Sequence, residues 1–127
     1  MVPEQALAQS ARQAGLRLLV LFGSRVLGHV HSQSDWDFGY LASTTLDEEL
    51  LRERLMGILG TDLVDLVDLS KASALLRIQV AVAGTPLFEN DTGVFQAFQI
   101  DAASFWCDVE PVLRVAYGQI LDGMQAA

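Results

Sequence analysis

The feature that most constrains the fold is a mostly apolar run at residues 16–22, which stops at Gly23. A run this short suits a strand better than a buried helix, and a glycine boundary is typical of a strand that ends sharply. The run therefore predicts a buried strand. Residues 23–34 are polar, with two glycines and three serines. They predict a loop that leads into a second strand at residues 35–41.

The rest of the chain predicts alternating helices and strands. Apolar spacing, capping residues and glycine stops indicate the further elements in order: a helix at 3–14, a helix from the capping-box pattern at 45–48 to about 59, a strand at 62–69, a helix from Ser70 to about 83, a short extended piece at 86–88, and a mostly helical segment at 91–124 with its long final helix from about 102. In the helix that ends at about residue 59, the side chains expected on the inner side are Leu46, Leu50, Leu51, Leu55 and Ile58.

This order predicts one mixed α and β (α+β) domain over residues 1–127. We expect a small mixed sheet flanked by helices, with a core at about 16–89 and a C-terminal helical segment at about 91–127. The segment at 62–69 is ambiguous, because its aspartates recur every three residues as in a helix. Its valines and its short length favour a strand.

Two carboxylates stand at the start of the second predicted strand, as Asp35-x-Asp37. Residues two apart on a strand point to the same face, about 7 Å apart. Like charges so placed repel each other unless cations lie between them. Carboxylate oxygens suit Mg²⁺, and such a pair can bridge two ions about 3.5–4 Å apart. Asp35 and Asp37 are therefore the predicted metal ligands, and the pattern predicts that they hold two Mg²⁺ ions.

Phosphate-binding groups stand at the end of the preceding strand. Gly23 lets a phosphate approach the backbone closely, and the Ser24 hydroxyl can donate to a phosphate oxygen. Arg25 can add a charge-assisted contact or form a structural ion pair. Gly23, Ser24 and Arg25 are therefore the predicted nucleotide-binding residues. Phosphate donors beside metal carboxylates are what nucleotidyl transfer requires.

A third carboxylate is expected in a two-metal site, to activate the attacking hydroxyl. Asp65 is the best candidate, because an aspartate in an apolar strand is costly unless it is paired or metal-bound. Asp68 lies three residues on and is expected on the opposite face. The sequence leaves the choice between Asp65 and Asp68 open. His29 and His31 are interpreted as solvated loop residues rather than ligands.

Charge and composition limit the partners. The 127-residue chain has a formal net charge of -8, which argues against binding nucleic acid directly by broad phosphate neutralisation. A basic protein partner suits this surface. Residues 1–14 lack a charged start followed by an apolar stretch, and no run approaches the length of a membrane span, so we expect no signal peptide, no membrane contact and a cytoplasmic location. The one cysteine, Cys107, cannot form an internal disulfide.

Together, these motifs resemble the signature of a known family. The motif Phe22-Gly23-Ser24-Arg25, with Asp35-x-Asp37 after residue 34, resembles the signature of the polymerase-β-like nucleotidyltransferase superfamily, and in particular its minimal branch, the MNT domains. Residues 64–69 resemble the strand that carries that branch's third carboxylate, and residues 76–89 its closing helix and strand. Trp36 departs from the aliphatic residue usual there, which is expected to alter packing rather than chemistry.

The resemblance implies an activity and a partner. Stand-alone MNT domains resemble the antitoxins of HEPN/MNT toxin–antitoxin pairs, in which the MNT protein transfers AMP from ATP to a tyrosine of the HEPN ribonuclease toxin. ATP with Mg²⁺ and a HEPN-type toxin are thus the implied substrate, cofactor and partner. The C-terminal aromatics, which are Phe95, Phe98, Phe105, Trp106 and Tyr117, are either core or the contact surface for that partner.

Two other functions stay open from the sequence. One is a non-catalytic antitoxin that neutralises its toxin by covering it, although a pure binding protein has no need for unpaired carboxylates. The other is a small-molecule nucleotidyltransferase of the antibiotic-modifying kind, which the absence of an evident acceptor domain disfavours. The sequence does not decide the acceptor residue or ATP against another nucleoside triphosphate.

Overall fold

The computed structural model describes residues 2–23 and 35–126 of the chain. Within them, helices and strands follow one another in the predicted order and form a mixed α+β fold. The elements are α1 (Glu4–Gln13), β1 (Leu16–Phe22), β2 (Trp36–Ala42), α2 (Glu48–Leu59), β3 (Val64–Asp68), α3 (Ala74–Ala83), β4 (Thr85–Glu89) and α4 (Val94–Ala126). None of the described helices is long and apolar enough to cross a membrane.

The four strands form one sheet in the order β3-β2-β1-β4. β1 runs antiparallel to both β2 and β4, whereas β2 and β3 are parallel. β1 is thus a central strand, and its apolar character follows from burial on both faces. The predicted strand at residues 16–22 is confirmed residue for residue.

Helices cover the two faces of the sheet in separate layers. On one face, α1 and α2 pack over Leu19, Leu21 and Phe38, in a core cluster that also contains Leu7 and Leu55. The opposite face belongs to α3 and α4, whose core cluster includes the β1 residues Leu18 and Val20.

A glycine lets α3 turn into β4 against the sheet. A side chain at Gly84 would collide with the Val80 carbonyl oxygen and come within 2.6 Å of Val20 Cγ1. Only glycine therefore allows the end of α3 to lie this close to β1. The predicted stop of this helix before residue 84 is confirmed.

Both helix starts predicted from capping patterns were wrong. α2 begins after Asp47, whose carboxylate accepts a hydrogen bond from the Leu50 N–H at 3.1 Å, and not after Thr45. α3 begins after Ser73, whose hydroxyl accepts from the Leu76 N–H at 3.1 Å, and not after Ser70. Each segment offers several capping side chains, and the helix that packs on the sheet selects the one nearest its first buried turn.

The side of α2 that packs inward is narrower than predicted. Leu51 and Leu55 are buried, but Leu50 is 44% exposed. Because Leu51 is one residue further along the helix than Leu50, the two side chains point about 100° apart, and only one of them can face the sheet directly.

The C-terminal helix is longer than predicted, because α4 begins at Val94 and not at about residue 102. Its aromatics divide between the two alternatives. Phe98 is buried in the core under α3, whereas Tyr117 is 61% exposed, and Phe105 and Trp106 are partly exposed. The Arg77 guanidinium lies over the Phe105 ring, 4.7 Å from its centre, and ties this part of α4 to α3.

Candidate active site

The candidate site is built on one row of residues that crosses three strands. Phe22 at the end of β1 is the register partner of Asp37 on β2, and Asp37 is the register partner of Asp65 on β3. Neighbours in register point to the same face of a sheet. Phe38, the next residue after Asp37, is fully buried on the face that α1 and α2 cover. Phe22, Asp37 and Asp65 therefore share the face that carries α3 and α4.

Gly23 lies directly against the Asp37 carboxylate. Its φ of 82° is in the left-handed region, which favours glycine. A Cβ built on it would collide with the Asp37 carboxylate oxygen and lie 3.2 Å from Asp37 Cγ. The backbone that begins the predicted phosphate loop and the predicted metal carboxylate are thus in van der Waals contact, which requires a residue without a side chain at position 23.

Negative charge is crowded around Asp37, and this crowding affects the pKa of its carboxyl group. Partial burial raises the pKa of Asp37, and the nearby carboxylates of Asp65 and Asp35 raise it further. The other two predicted carboxylates therefore both act on Asp37 at one end of the sheet. A cation bound among them would remove this repulsion, and hard oxygen ligands of this kind suit Mg²⁺.

Asp35 stands just before β2 and is exposed. The residue after it is anchored, because the Trp36 N–H donates to the Leu63 carbonyl at 2.8 Å and so joins the start of β2 to the segment before β3. The Trp36 ring stacks against Phe38 with the ring centres 6.3 Å apart and packs on the cluster under α1 and α2. Trp36 thus affects packing on the face away from the carboxylates, as predicted.

The structure separates Asp65 from Asp68. Asp68 is the register partner of Tyr40, a core residue on the α1 and α2 face. Its carboxylate accepts hydrogen bonds from the Ser70 N–H at 3.0 Å and the Ser70 hydroxyl at 2.6 Å, and so closes the turn after β3. Asp65, by contrast, is exposed beside Asp37. Of the two candidates for the third carboxylate, only Asp65 shares the face of Asp37.

The carboxylates are arranged openly. No group of three His, Cys, Asp or Glu side chains among residues 2–23 and 35–126 is close enough to enclose a metal ion. The donor set nevertheless fits Mg²⁺, which commonly takes one or two carboxylates and completes its shell with water and substrate phosphates. Four residues of the predicted loop, Ser24, Arg25, His29 and His31, lie outside the described part of the chain.

A cleft that the sequence reasoning missed adjoins Gly23. It has a volume of about 530 Å³ and is lined by Phe22, Gly23, Ile78, Gln79, Val82 and Ala83. Gln79 is the one polar side chain among these residues. In the sequence, Gln79 is a single uncharged polar residue in the otherwise apolar second half of α3. Such a residue is typical of an ordinary surface position and does not by itself indicate a cleft.

The structure thus places a glycine beside paired carboxylates at one end of a small mixed sheet, an arrangement that nucleotidyl transfer can use. The family model for polymerase beta nucleotidyltransferase domains matches residues 5–93. The chain belongs to this family.

Its relatives include two curated proteins, each named protein adenylyltransferase MntA. The chain is 37% identical to the one from Aphanizomenon flos-aquae over 100 residues, which make up 66% of this chain and 64% of that protein. It is 43% identical to the one from Shewanella oneidensis over 76 residues, 58% of this chain and 54% of that protein. The matched regions thus span less than two thirds of each relative.

Solved structures agree over a larger part of the chain. A chain of a toxin–antitoxin complex with AMP-PNP superposes with a TM-score of 0.81 at 30% identity, covering 94% of this chain and 99% of that one. A second match comes from the complex of a tri-AMPylated Shewanella oneidensis HEPN toxin with its MNT antitoxin. Its TM-score is 0.73 at 28% identity, covering 93% of this chain and 95% of that one. The predicted nucleotidyltransferase fold is confirmed.

Proposed function

We propose that this protein is an antitoxin that transfers AMP from ATP to a tyrosine of a cognate HEPN-type toxin. The observation that carries the proposal is that Gly23 lies beside Asp37, which is itself in register with Asp65. The residue predicted to allow close approach of a phosphate is therefore a neighbour of the predicted metal ligands. The relatives named protein adenylyltransferase and the solved complex with an AMPylated HEPN toxin support the same activity, donor and acceptor class.

The site residues fall into a phosphate-binding group and a metal-binding group. Gly23, Ser24 and Arg25 hold the triphosphate, with Gly23 allowing close approach and Ser24 and Arg25 donating to its oxygens. Asp35, Asp37 and Asp65 hold Mg²⁺, most simply as two ions. The metal, when bound, neutralises charge on the triphosphate and on the departing pyrophosphate.

The transfer itself is a displacement at the α-phosphorus of ATP. The tyrosine oxygen of the toxin forms a bond to that phosphorus, and the bond from the phosphorus to the oxygen that bridges to the β-phosphate breaks. Pyrophosphate leaves with the electron pair of that bond. Asp65, at the exposed edge of the row, takes the proton of the tyrosine hydroxyl as a general base.

The proposal is tested by producing the protein with its toxin and measuring the intact mass of the toxin. Mass increments of AMP are expected with the wild-type protein and none with the Asp35→Asn/Asp37→Asn variant. Glu49→Gln/Glu53→Gln on the exposed side of α2 is the matched control, because it also removes two negative charges but lies in the other helix layer. If the variant without the site carboxylates still neutralised the toxin and no mass were added by either protein, the antitoxin would act by binding alone.

A single domain over residues 1–127 and a cytoplasmic location remain predictions. Asp35, Asp37 and Asp65 as metal ligands, and Ser24 and Arg25 as phosphate ligands, likewise remain predictions.

A further inference from the structure

A cleft adjoins Gly23, the residue at which the predicted phosphate loop begins. Its volume of about 530 Å³ falls within the range of small-molecule sites, which is about 300–1,000 Å³. Gly23 forms one end of it and the second half of α3 forms its wall. A nucleotide whose phosphates contact Gly23 therefore has this cleft within reach of its base.

The cleft also opens on the correct face of the sheet. Phe22, which lines it, is in register with Asp37 and packs with Ile78 against the core cluster under α3 and α4. The opposite face is filled by α1 and α2. A ligand that reaches both the carboxylates and the cleft can therefore stay on one side of the sheet.

The lining has the chemistry of a base-binding site. Phe22, Ile78 and Val82 offer apolar and aromatic surface, and Val82 is 80% exposed although it is apolar. A flat heterocycle placed there would remove this surface from water. Ile78 and Val82 are four residues apart, so they lie on one side of α3, and Gln79 is next to them on the side that meets the cleft.

We propose that this cleft binds the base of the nucleotide and that Gln79 makes the donor preferentially ATP. The Gln79 amide offers one acceptor and two donors, which match the amino group of adenine and an adjacent ring nitrogen in a bidentate pair. This inference rests on the proposed function, since it assigns the base subsite of the same reaction. It makes Gln79 a specificity-determining residue outside the row of carboxylates.

The test measures nucleotide binding without the toxin, by calorimetric titration in magnesium. Inorganic tripolyphosphate, ATP, GTP and CTP are each titrated into the wild-type protein and into Gln79→Glu and Val82→Asp. Leu50→Asp is the control, because Leu50 is also an exposed apolar helix residue but lies on α2, in the other layer. Circular dichroism confirms that each variant is folded.

The expected result separates the base from the phosphates. The wild-type protein should bind ATP more tightly than CTP, GTP or tripolyphosphate. Gln79→Glu should weaken ATP binding by about tenfold, the value of one good hydrogen bond, and reduce the preference for ATP. Val82→Asp should weaken binding of all three nucleotides, and each variant should weaken ATP binding more than it weakens tripolyphosphate binding. Leu50→Asp should bind every ligand as the wild type does.

Two outcomes would overturn the inference, and they differ from failure of the proposed function. If ATP, CTP and tripolyphosphate bound equally to the wild type and to both variants, the proposed phosphate site would still be supported. The proposed base subsite would be refuted. If GTP were preferred and Gln79→Glu left that preference unchanged, Gln79 would not determine the choice of base. Failure of every ligand to bind the wild type would instead remove the proposed function and, with it, this subsite.

Discussion

At the scale of single residues, Asp37 is the most constrained group in the described part of the chain. It lies against Gly23 on one side and in register with Asp65 on the other. Its environment combines partial burial with like charge, both of which raise its pKa. Such an environment is unfavourable for the apo protein and becomes favourable only when a cation is present.

The first prediction is that Asp37→Asn stabilises the metal-free protein. Replacing the carboxylate, which is crowded by its acidic neighbours, should raise the free energy of unfolding at pH 7 by about 0.2–1 kcal/mol, the size typical of partly exposed charges. Because the folded pKa lies above the unfolded value of 3.8, the wild type loses this penalty as the pH falls through the folded pKa. The gain should therefore shrink on acidification toward pH 3.8.

Urea unfolding at several pH values, with and without Mg²⁺, provides the measurement. Mg²⁺ should stabilise the wild type and have little effect on Asp37→Asn. Asp101→Asn, an exposed aspartate on α4, is the control and should show neither effect. A loss of stability in Asp37→Asn at pH 7 would contradict the account of Asp37 as a repelled carboxylate.

The second prediction separates Asp65 from Asp68. Asp65→Asn should keep most of its affinity for ATP but lose about 10²–10⁴-fold in turnover, the usual contribution of a general base. Asp68→Asn should keep its turnover, because Asp68 lies on the other face. It should lose about 1 kcal/mol of stability, because it weakens the two hydrogen bonds that Asp68 accepts from Ser70.

Single-turnover transfer of labelled AMP to the toxin and calorimetric titration of ATP measure the two effects separately. If Asp68→Asn lost turnover and Asp65→Asn did not, the assignment of the third carboxylate would be reversed. If Asp65→Asn lost ATP affinity in proportion to turnover, Asp65 would contribute to holding the metal and the nucleotide but not to activating the tyrosine hydroxyl.

At the scale of elements, the second half of α4 stands out. Exposed apolar side chains occur over much of its surface, with exposures of 57% to 69%: Val112, Val115, Tyr117, Ile120, Leu121 and Met124. The contacts of α4 with other elements are made mainly with α3, beside its first half. Monomeric proteins rarely expose so extensive an apolar surface unless it binds a partner. We therefore expect this half of α4 to be covered by the toxin.

The third prediction is that Val115→Asp and Leu121→Asp weaken the complex with the toxin. Each should reduce the affinity at least about tenfold if its side chain lies in the centre of the contact. Neither should change the stability of the isolated protein or its affinity for ATP, because both side chains are exposed and remote from the core. Leu50→Asp on α2 is again the matched control.

Affinity is measured by titration of purified toxin into each variant. Unchanged affinity in both α4 variants would place the contact on another surface. The contact surface predicted at residues 95–117 would then be wrong. One of its residues, Phe98, already belongs to the core.

At the scale of the whole molecule, the net charge of -8 governs encounter rather than fold. A ribonuclease must itself attract RNA, so its surface is expected to be basic. The protein is therefore expected to approach its toxin under long-range attraction. Screening by salt should slow that approach without changing the chemistry at the site.

The fourth prediction concerns salt. The association rate constant of the protein with its toxin should fall at least about tenfold between ionic strengths of about 0.01 M and 1 M, with a much smaller change in the dissociation rate constant. Glu49→Gln/Glu53→Gln, which removes two charges from an exposed surface, should reduce the salt dependence slightly. Stopped-flow measurements give both constants. An association rate independent of salt would exclude electrostatic steering.

Much of the site could be predicted from local sequence, because the governing rules are local. The alternation of side chains along a strand predicted that Asp37 and Phe38 point to opposite faces of the sheet. The glycine at position 23 marked the end of β1. The same alternation placed Asp65 and Asp68 on opposite faces, and the pairing of β2 with β3 showed that Asp65 shares the face of Asp37. These relations depend on the backbone of a few consecutive residues, which the sequence of those residues largely specifies.

Only the tertiary structure decided which distant residues meet. Capping side chains occur at positions 45 and 47, and packing on the sheet selected Asp47. Gln79 lies more than fifty residues from Gly23 in the sequence, and it reaches the cleft only because α3 packs against β1. Burial of Phe98 and exposure of Tyr117 likewise follow from where α4 leaves α3. Pairing and burial are non-local, since they depend on which surfaces exclude water together, and no single stretch of the sequence carries that information.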